Sequence, residues 1–408
     1  MSNILYRFKH NGSFSKQVKL YMSNTFISYL VMSAFANVLQ GIYFKGLGFE
    51  EGFIGNVIAL KTVLIGLSAV PVGMLSDIIG RKRAVMLGVI ISSLGYLGQC
   101  VFTSQLLIYF FACLNGIGSA VMYVNDAPFL AENCEEEKRI NLFSINFIIN
   151  QLASIFGSYS GGRIPELFGG ESISILRGTQ VFFALLALLA LVPLCKIKNE
   201  KKSDSIRREG SFFSLLKRKN VVLIIIYNML IGFGAGLVIP FFNLFLHYKL
   251  NVGTGVVGTI MAYSQVATII GAFLVPYVSK KLGRVFTVQL CQVLSIPFLL
   301  IISIAGNVWL TTFVFFMRSA LMNMAQPALQ SLTMEIVGDE ERSALSSLMN
   351  LSNHITRGIS ASVAGFIMAN ISYELPYYIT AVLYITAILL FARIFDSGKK
   401  KNQASMTE

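Results

Sequence analysis

Charge is scarce in this chain: Asp, Glu, Lys and Arg make up 13% of its 408 residues, while 55% are hydrophobic. That is about half the charged share of an ordinary soluble domain, so a water-soluble globular fold is excluded. The five cysteines (Cys100, Cys113, Cys134, Cys195, Cys291) show no Cys-x-x-Cys spacing and no neighbouring histidine, so neither a disulfide framework nor a metal site is indicated. No Gly-x-x-x-x-Gly-Lys phosphate loop is present, which removes nucleotide hydrolysis as an energy source, and no cofactor is expected. No set of His, acid and nucleophile lies at one depth along the apolar runs, so an enzyme is not expected. Carboxylates are missing where a membrane would be deepest. Of 20 acids, 19 fall in loops, tails or the ends of apolar runs, and Asp126 is the exception.

What is abundant is length of apolar sequence. Runs able to cross a hydrocarbon core, at roughly 20 residues each, lie at 18–43, 53–76, 84–102, 106–129, 142–165, 178–195, 221–246, 254–278, 285–305, 308–332, 344–370 and 375–395. They predict an all-α membrane protein with twelve transmembrane helices. The first 17 residues are polar and basic, and no small-residue cleavage pattern follows the first run, so no segment is expected to be removed. If the N-terminus is cytoplasmic, 26 of the 33 Lys and Arg fall on that side, four on the other (Lys45, Arg163, Arg177, Lys249) and three inside spans. The excess of cations inside predicts both termini cytoplasmic and a multi-pass protein of the plasma (inner) membrane. The net charge of +13 then reflects topology and contact with anionic lipid, not binding to nucleic acid.

The runs repeat. At a constant offset of 203 residues Gly52 matches Gly255, Gly55 Gly258, Ala59 Ala262, Glu132 Glu335, Arg139 Arg342, Ser144 Ser347, Asn150 Asn353 and Gly162 Gly365. The expected organisation is two pseudo-symmetric six-helix bundles: a cytoplasmic N-terminal segment (1–17), a first bundle (18–195), a basic cytoplasmic linker (196–220), a second bundle (221–395) and a polar, disordered cytoplasmic tail (396–408). The linker carries nine Lys or Arg against three acids. Two parallel halves of this kind are one architecture of secondary transporters. Loops on the far side are expected to be short except near 163–177.

The run Gly73, Met74, Leu75, Ser76, Asp77, Ile78, Ile79, Gly80, Arg81, Lys82, Arg83 closes the second span, and a worn copy surrounds Gly283 and Arg284. It resembles the loop signature of the major facilitator superfamily, and the twelve spans and basic central linker extend the resemblance over the whole chain. The resemblance implies that Gly73 lets the second helix approach a neighbour and that Asp77 faces the positive N-terminus of the eleventh helix. It further implies that Arg81 bridges Asp77 and Glu132, with Arg139 closing a latch on the cytoplasmic side. Gly80 shares the motif, and Arg284, Glu335 and Arg342 are the second copy. Lys280 and Pro276 replace Asp77 and Gly73 there, so that latch should be weaker. Two signatures of proton-coupled drug exporters are altered, with Ala112 where an arginine is expected and Ser158 where a proline is expected.

Four deep groups are candidates for coupling or buried charge: Lys61, Asp126, His354 and Arg357, the last two one turn apart and so able to share a helix face. A fifth, Arg318, lies on the tenth helix; the resemblance places helices one, four, seven and ten around the cavity, so Arg318 is expected at the substrate. Gln40, Asn115, Tyr123, Asn243, Asn323 and Gln326 are the other substrate-binding candidates, and Asn228 adds polarity to the seventh helix. The implied function is secondary or facilitated transport of a small solute by alternating access, with a small organic anion or polar metabolite favoured. Export of amphipathic drugs in exchange for protons is the alternative within the class, and a non-transporting membrane sensor is the reading from another class. The expected partners are the small-molecule substrate, a coupling ion such as the proton, and membrane lipid, with the protein a monomer.

Overall fold

A computed structural model describes residues 14–198, 215–338 and 341–404. The first 13 residues, most of the basic linker and the last four residues lie outside that range. Among the described residues the chain forms twelve long helices. The first half contains α1 (Lys16–Gly46), α2 (Glu51–Ile79), α3 (Arg81–Val101), α4 (Gln105–Glu132), α5 (Glu136–Leu167) and α6 (Ile173–Cys195). The second contains α7 (Lys219–Lys249), α8 (Thr254–Leu282), α9 (Arg284–Ile304), α10 (Val308–Met334), α11 (Arg342–Asn370) and α12 (Leu375–Ala404). The face on which α1 begins and α6 ends is the terminal face here, and the opposite one is the far face.

Each apolar run became a helix, with ends displaced by a few residues. Two differences change the expected loops: α6 starts early, which shortens the far-side loop to 168–172, and α12 continues through residues 396–404 where a disordered tail was expected. No proline interrupts that last stretch, and a helix already anchored in the membrane needs no new nucleus to grow out of it. Two of the irregularities fall beside a proline. In α7 the α-helix stops at Val238 and a 3-10 turn spans Ile239–Phe241, around Pro240, which cannot donate. In α10 the break at Ala325 precedes Pro327. In α1 a π-helical stretch occupies Ser33–Leu39.

Eleven of the helices are long and apolar enough to cross a membrane. The twelfth, α11, carries Asn350, Ser352, Asn353, His354, Thr356, Arg357 and Ser360 along its length. It packs lengthwise against α2 on one side and α7 on the other, which shelters this polar stripe from the low-dielectric surroundings that would penalise it.

The halves meet along two helix pairs, α2 with α11 and α5 with α8. At the first crossing, a Cβ on Gly55 would stand 2.6 Å from the Ala361 carbonyl oxygen and 3.1 Å from Gly365 Cα. At the second, a Cβ on Gly258 would stand 2.4 Å from the Ser158 oxygen and 2.9 Å from Gly162 Cα. Adding 203 to residues 55 and 158 yields 258 and 361, so the two crossings exchange under the sequence repeat. Only glycine allows backbones this close in a membrane interface. The α2–α3 and α8–α9 connectors repeat as well, with Gly80 at φ 91° and Gly283 at φ 81° in the left-handed region that glycine enters freely.

Contacts between the halves are dense on the far face. The Thr254 hydroxyl donates to the Gly162 carbonyl at 3.1 Å, Gly255 N–H donates to Glu166 at 3.0 Å, and Thr254 N–H donates to Glu171. Both carboxylates thus sit at the N-terminus of α8, where the helix dipole favours them. At the other crossing the Tyr373 hydroxyl donates to Glu51, which also pairs with Lys45 at 2.6 Å. Between these corners Asn243 Nδ2 donates to the Val38 carbonyl at 3.0 Å. Lys249, hydrogen-bonded to Glu374 in the α11–α12 loop, holds that carboxyl below the usual carboxylate range.

The far face is closed, and the crossings set a testable limit on its packing. Gly258→Val should hold the two halves apart there, lengthening the distance between spin labels at Gly46 and Asn251 and abolishing transport. Gly52→Ala, at a position with nothing within 4 Å of the added carbon, should leave both unchanged. Equal distances in Gly258→Val and wild type would contradict this closure.

Candidate functional site

Below the far-face closure the core is tyrosine-rich. A cleft is lined by Tyr21, Thr25, Ser28, Tyr29, Val31 and Met32 of α1, Val89, Ser92 and Tyr96 of α3, Ser119, Met122, Tyr123 and Asp126 of α4, and Ala187 of α6. Its walls are therefore all from the first half. The resemblance places helices one, four, seven and ten around the transport cavity; of these α1 and α4 line this cleft, together with α3 and α6. Tyr123 is 43% exposed and projects across the gap between halves. Its ring lies 6.5 Å from the His354 ring of α11, centre to centre.

Tyr123 also joins charges of opposite sign. It interacts electrostatically with Asp126 on its own helix and with Arg357 on α11. Arg357 in turn interacts with Tyr384 of α12, and Tyr384 with Arg318 of α10. On the other side Asp126 and Tyr123 both act on Tyr29. A continuous polar chain thus runs from Tyr29 through Asp126, Tyr123, Arg357 and Tyr384 to Arg318, crossing both halves. A neutral phenol can donate to a carboxylate and accept from a guanidinium, so these tyrosines can stand between charges of opposite sign without adding charge.

The four deep groups are distributed around this chain. The Asp126 Oδ2 accepts from Asn146 Nδ2 at 3.1 Å, while Oδ1 is buried without a partner. A local pairing of Asp126 with Arg139 does not form; Asn146, on the facing side of α5, takes the carboxylate instead. His354 packs its Cβ where Gly66 of α2 has none, and its Nδ1 is buried without a partner. Arg357 makes no ion pair with any described residue and its side chain is only partly covered. Lys61 Nζ stands 5.3 Å from the centre of the Tyr96 ring, a cation–π contact in place of a salt bridge.

Most of the amides expected at the substrate are engaged in helix packing. Gln40 donates to Gln99 at 2.6 Å, and Asn115 donates to the Ser92 carbonyl at 3.0 Å in the seam where α3 and α4 touch at Gly95. Asn243 joins α7 to α1 in the far-face closure. Asn323 donates to the Ser319 carbonyl and to Thr268, and Asn228 to the Met349 carbonyl. Gln326 is exposed at the break in α10. An amide in a membrane helix satisfies itself on the nearest free carbonyl or hydroxyl, and sequence does not say which helix supplies it. Arg318, 4% exposed, is likewise sealed away from the cleft. The residues missed by sequence reasoning are Tyr29, Tyr96 and Tyr384. Their signal was a tyrosine within reach of a deep charge, hidden among 16 tyrosines and 32 phenylalanines.

On the terminal face the loop motif is assembled within each half. Arg81 donates through Nε to Glu132 at 2.8 Å and reaches Asp77 at 3.5 Å. Ser76 donates to Asn125 at 2.6 Å beneath them, and Gly73 is buried one turn earlier. The second copy repeats the pair as Arg284 with Glu335, and Arg342 Nε donates to the Met334 carbonyl at 3.0 Å. Lys280, standing where Asp77 does, is exposed. Arg139 Nε is buried without a hydrogen bond, so Arg139 does not close the group.

The cleft makes a prediction about access. With Cys113, Cys134 and Cys195 changed to serine, Tyr123→Cys should react with a small water-soluble thiol reagent. Tyr384→Cys, at a position 1% exposed, should react at least about tenfold more slowly, since only exposed thiolate reacts. Mass spectrometry of the labelled protein reads the ratio, and equal rates would show that the cleft is not open at Tyr123.

Comparison with known proteins gives a single family. The sequence profile of the Major Facilitator Superfamily matches residues 21–248 and again 224–408. Multidrug resistance protein 2 of Bacillus subtilis (strain 168) is 23% identical over 401 residues, covering 94% of this chain and 96% of that protein. The uncharacterized MFS-type transporter YhhS of Escherichia coli (strain K12) is 24% identical over 389 residues, covering 92% of each. Among solved structures, the nucleoside transporter NupG superposes with a TM-score of 0.78 at 14% identity, over 93% of this chain and 99% of that one. A bacterial homolog of the human lysosomal transporter Spinster, inward-facing, superposes with a TM-score of 0.76 at 14% identity, over 94% and 98%. At these identities the superpositions speak for the fold.

Proposed function

We propose that this chain, which belongs to the major facilitator superfamily, carries small organic anions with an apolar body across the membrane by alternating access. Members of this family are multi-pass membrane transporters and not enzymes. The observation that carries the substrate reading is Arg357. A guanidinium cannot shed its proton, and an unpaired charge this deep is costly, yet no described acid pairs with it, and it interacts electrostatically with Tyr123 of the cleft wall. A substrate carboxylate satisfies it, while the substrate body packs on Tyr29, Tyr96, Met32 and Met122. Lys61, beside the Tyr96 ring, and His354, beside the Tyr123 ring, stand behind two of the lining tyrosines and add positive charge when protonated.

A second reading has its own observation. Asp126 is the carboxylate of the cleft and its Oδ1 is unpartnered, so an amphipathic cation could bind there, as the similarity to a multidrug resistance protein suggests. Proteoliposome uptake of small aromatic carboxylates and of quaternary ammonium dyes separates the two. In the anion reading Arg357→Gln weakens carboxylate transport about tenfold or more, the loss of one hydrogen bond to charge, and Arg357→Lys retains part of it. Dye transport lost on Asp126→Asn, with Arg357→Gln unaffected, would favour the cation.

The remaining assignments concern orientation and cycling. The excess of Lys and Arg on the terminal face supports placing that face, with both termini, in the cytoplasm of a cell bounded by its plasma membrane. The far-face closure then corresponds to a carrier shut toward the outside. Asp126 and His354 are the groups able to carry a coupling proton, His354 having the unperturbed pKa nearest to neutrality, about 6.5. Asp77, Arg81 and Glu132, with Arg284 and Glu335 in the second half, form the latch of the opposite state, in which Asp77 meets the N-terminus of α11.

Asp77→Asn should therefore leave the closed far face intact and weaken the alternative. The expected outcome is a population shifted toward cytoplasmic opening and slower transport at an unchanged amount of protein. Spin labels at the cytoplasmic ends of α2 and α11 measure the shift; unchanged distances would remove Asp77 from the latch.

A further inference from the structure

Arg318 presents a charge without a counterion in the core of the second half. It is 4% exposed, its Nε has no hydrogen bond, and among the described residues no carboxylate pairs with it. Opposite stand two tyrosines of α12, Tyr377 and Tyr384, both essentially inaccessible. Their spacing of seven residues, two helical turns, puts them on one face about 10 Å apart along the axis. Tyr384 interacts electrostatically with Arg318. The Tyr377 hydroxyl interacts with the same cation and is buried with no partner.

The surroundings are aromatic. Phe315, a turn before Arg318, stacks on Phe242 with ring centres 3.7 Å apart, and Phe245 packs on Tyr377 at 5.1 Å. The Arg318 Nε–H and the Tyr377 O–H are thus both buried without an acceptor, in a region that carries one net positive charge. Aromatic edges carry the same sign of partial charge. Such a set of donors lacks one thing, a small negative acceptor, and burying the cation without it is strongly unfavourable.

We propose that Arg318, Tyr377 and Tyr384 form a buried site for one small monovalent anion of the chloride class, tying α10 to α12 and separate from the substrate cleft. An inorganic anion can enter so closed a site more readily than a carboxylate with an organic body, which would have to displace the surrounding phenylalanines. The site does not depend on the proposed substrate, because Arg357 and not Arg318 interacts with Tyr123 of the cleft wall.

The test uses purified full-length protein in detergent, with chloride exchanged for gluconate at constant ionic strength and the thermal midpoint followed as chloride or bromide is added. A ligand bound only by the folded state raises the midpoint with concentration, here on the order of 5 °C near saturation. Tyr377→Phe should weaken the chloride response about tenfold. Arg318→Met, which removes the uncompensated charge, should abolish the response while being no less stable than wild type in gluconate. Arg357→Gln should keep the wild-type response. A wild-type midpoint indifferent to halide would overturn the proposal, as would a response unchanged in both Tyr377→Phe and Arg318→Met. A response lost in Arg357→Gln would put the anion in the cleft instead. If benzoate competes with chloride for a stabilisation that requires Arg318, the site belongs to an organic carboxylate and the inorganic assignment fails.

Discussion

A helix that carries a histidine and an arginine at mid-membrane cannot face lipid, and much of this structure follows from keeping α11 covered. Water is absent at that depth, so each polar group on the helix needs a protein partner or an enclosed polar space. The partners here are α2 of the other half and α7 of its own. Gly66 admits the His354 side chain, and Gly232 leaves room for Asn353 and Thr356. Because one of the two covers belongs to the opposite half, the polarity of α11 can be tolerated only while the halves stay together along it.

That dependence explains where the tight crossings are. The glycine contacts between α2 and α11 and between α5 and α8 lie toward the far face, where carboxylates also cap α8 and tie the α11–α12 loop to Glu51. Toward the terminal face the ion pairs stay within each half. Arg81 with Glu132 and Arg284 with Glu335 brace the α2–α3 and α8–α9 connectors against their own bundles, so each bundle can move as a unit while the contacts between bundles change. Repeated ion pairs inside the halves and repeated crossings between them are the physical form of the 203-residue offset.

The centre of the molecule is asymmetric by comparison. The first half holds the cleft and its one carboxylate, and the second holds Arg357, His354 and the sealed Arg318. Tyr123 and Tyr384 connect them. A neutral phenol can accept from a guanidinium and donate to a carboxylate, which lets charges of both signs share a dry interior without pairing directly. The cleft therefore has an acid in its wall and a cation beyond Tyr123, and the substrate reading turns on which of them remains unsatisfied.

How much of this was legible beforehand can be judged from particular residues. The twelve runs, the repeat and the loop motif around Gly73–Arg83 were visible because each depends on local composition: about 20 apolar residues must become a helix in a bilayer, and a left-handed turn such as Gly80 needs a glycine. The depth of Lys61, Asp126, His354 and Arg357 followed from the same count of residues. The partners of the side chains were not legible. Gln40, Asn115 and Asn243 looked like cavity residues and are spent on Gln99, Ser92 and Val38, while Tyr29, Tyr96 and Tyr384 looked like packing and face the deep charges. A helix presents a different face every 100°, and in a twelve-helix bundle the tilt and rotation of each helix are set by contacts far away in sequence. Sequence by itself determined that the chain spans the membrane as two related bundles with buried charge; only the tertiary structure decided which charges are answered within the protein and which are left for a ligand.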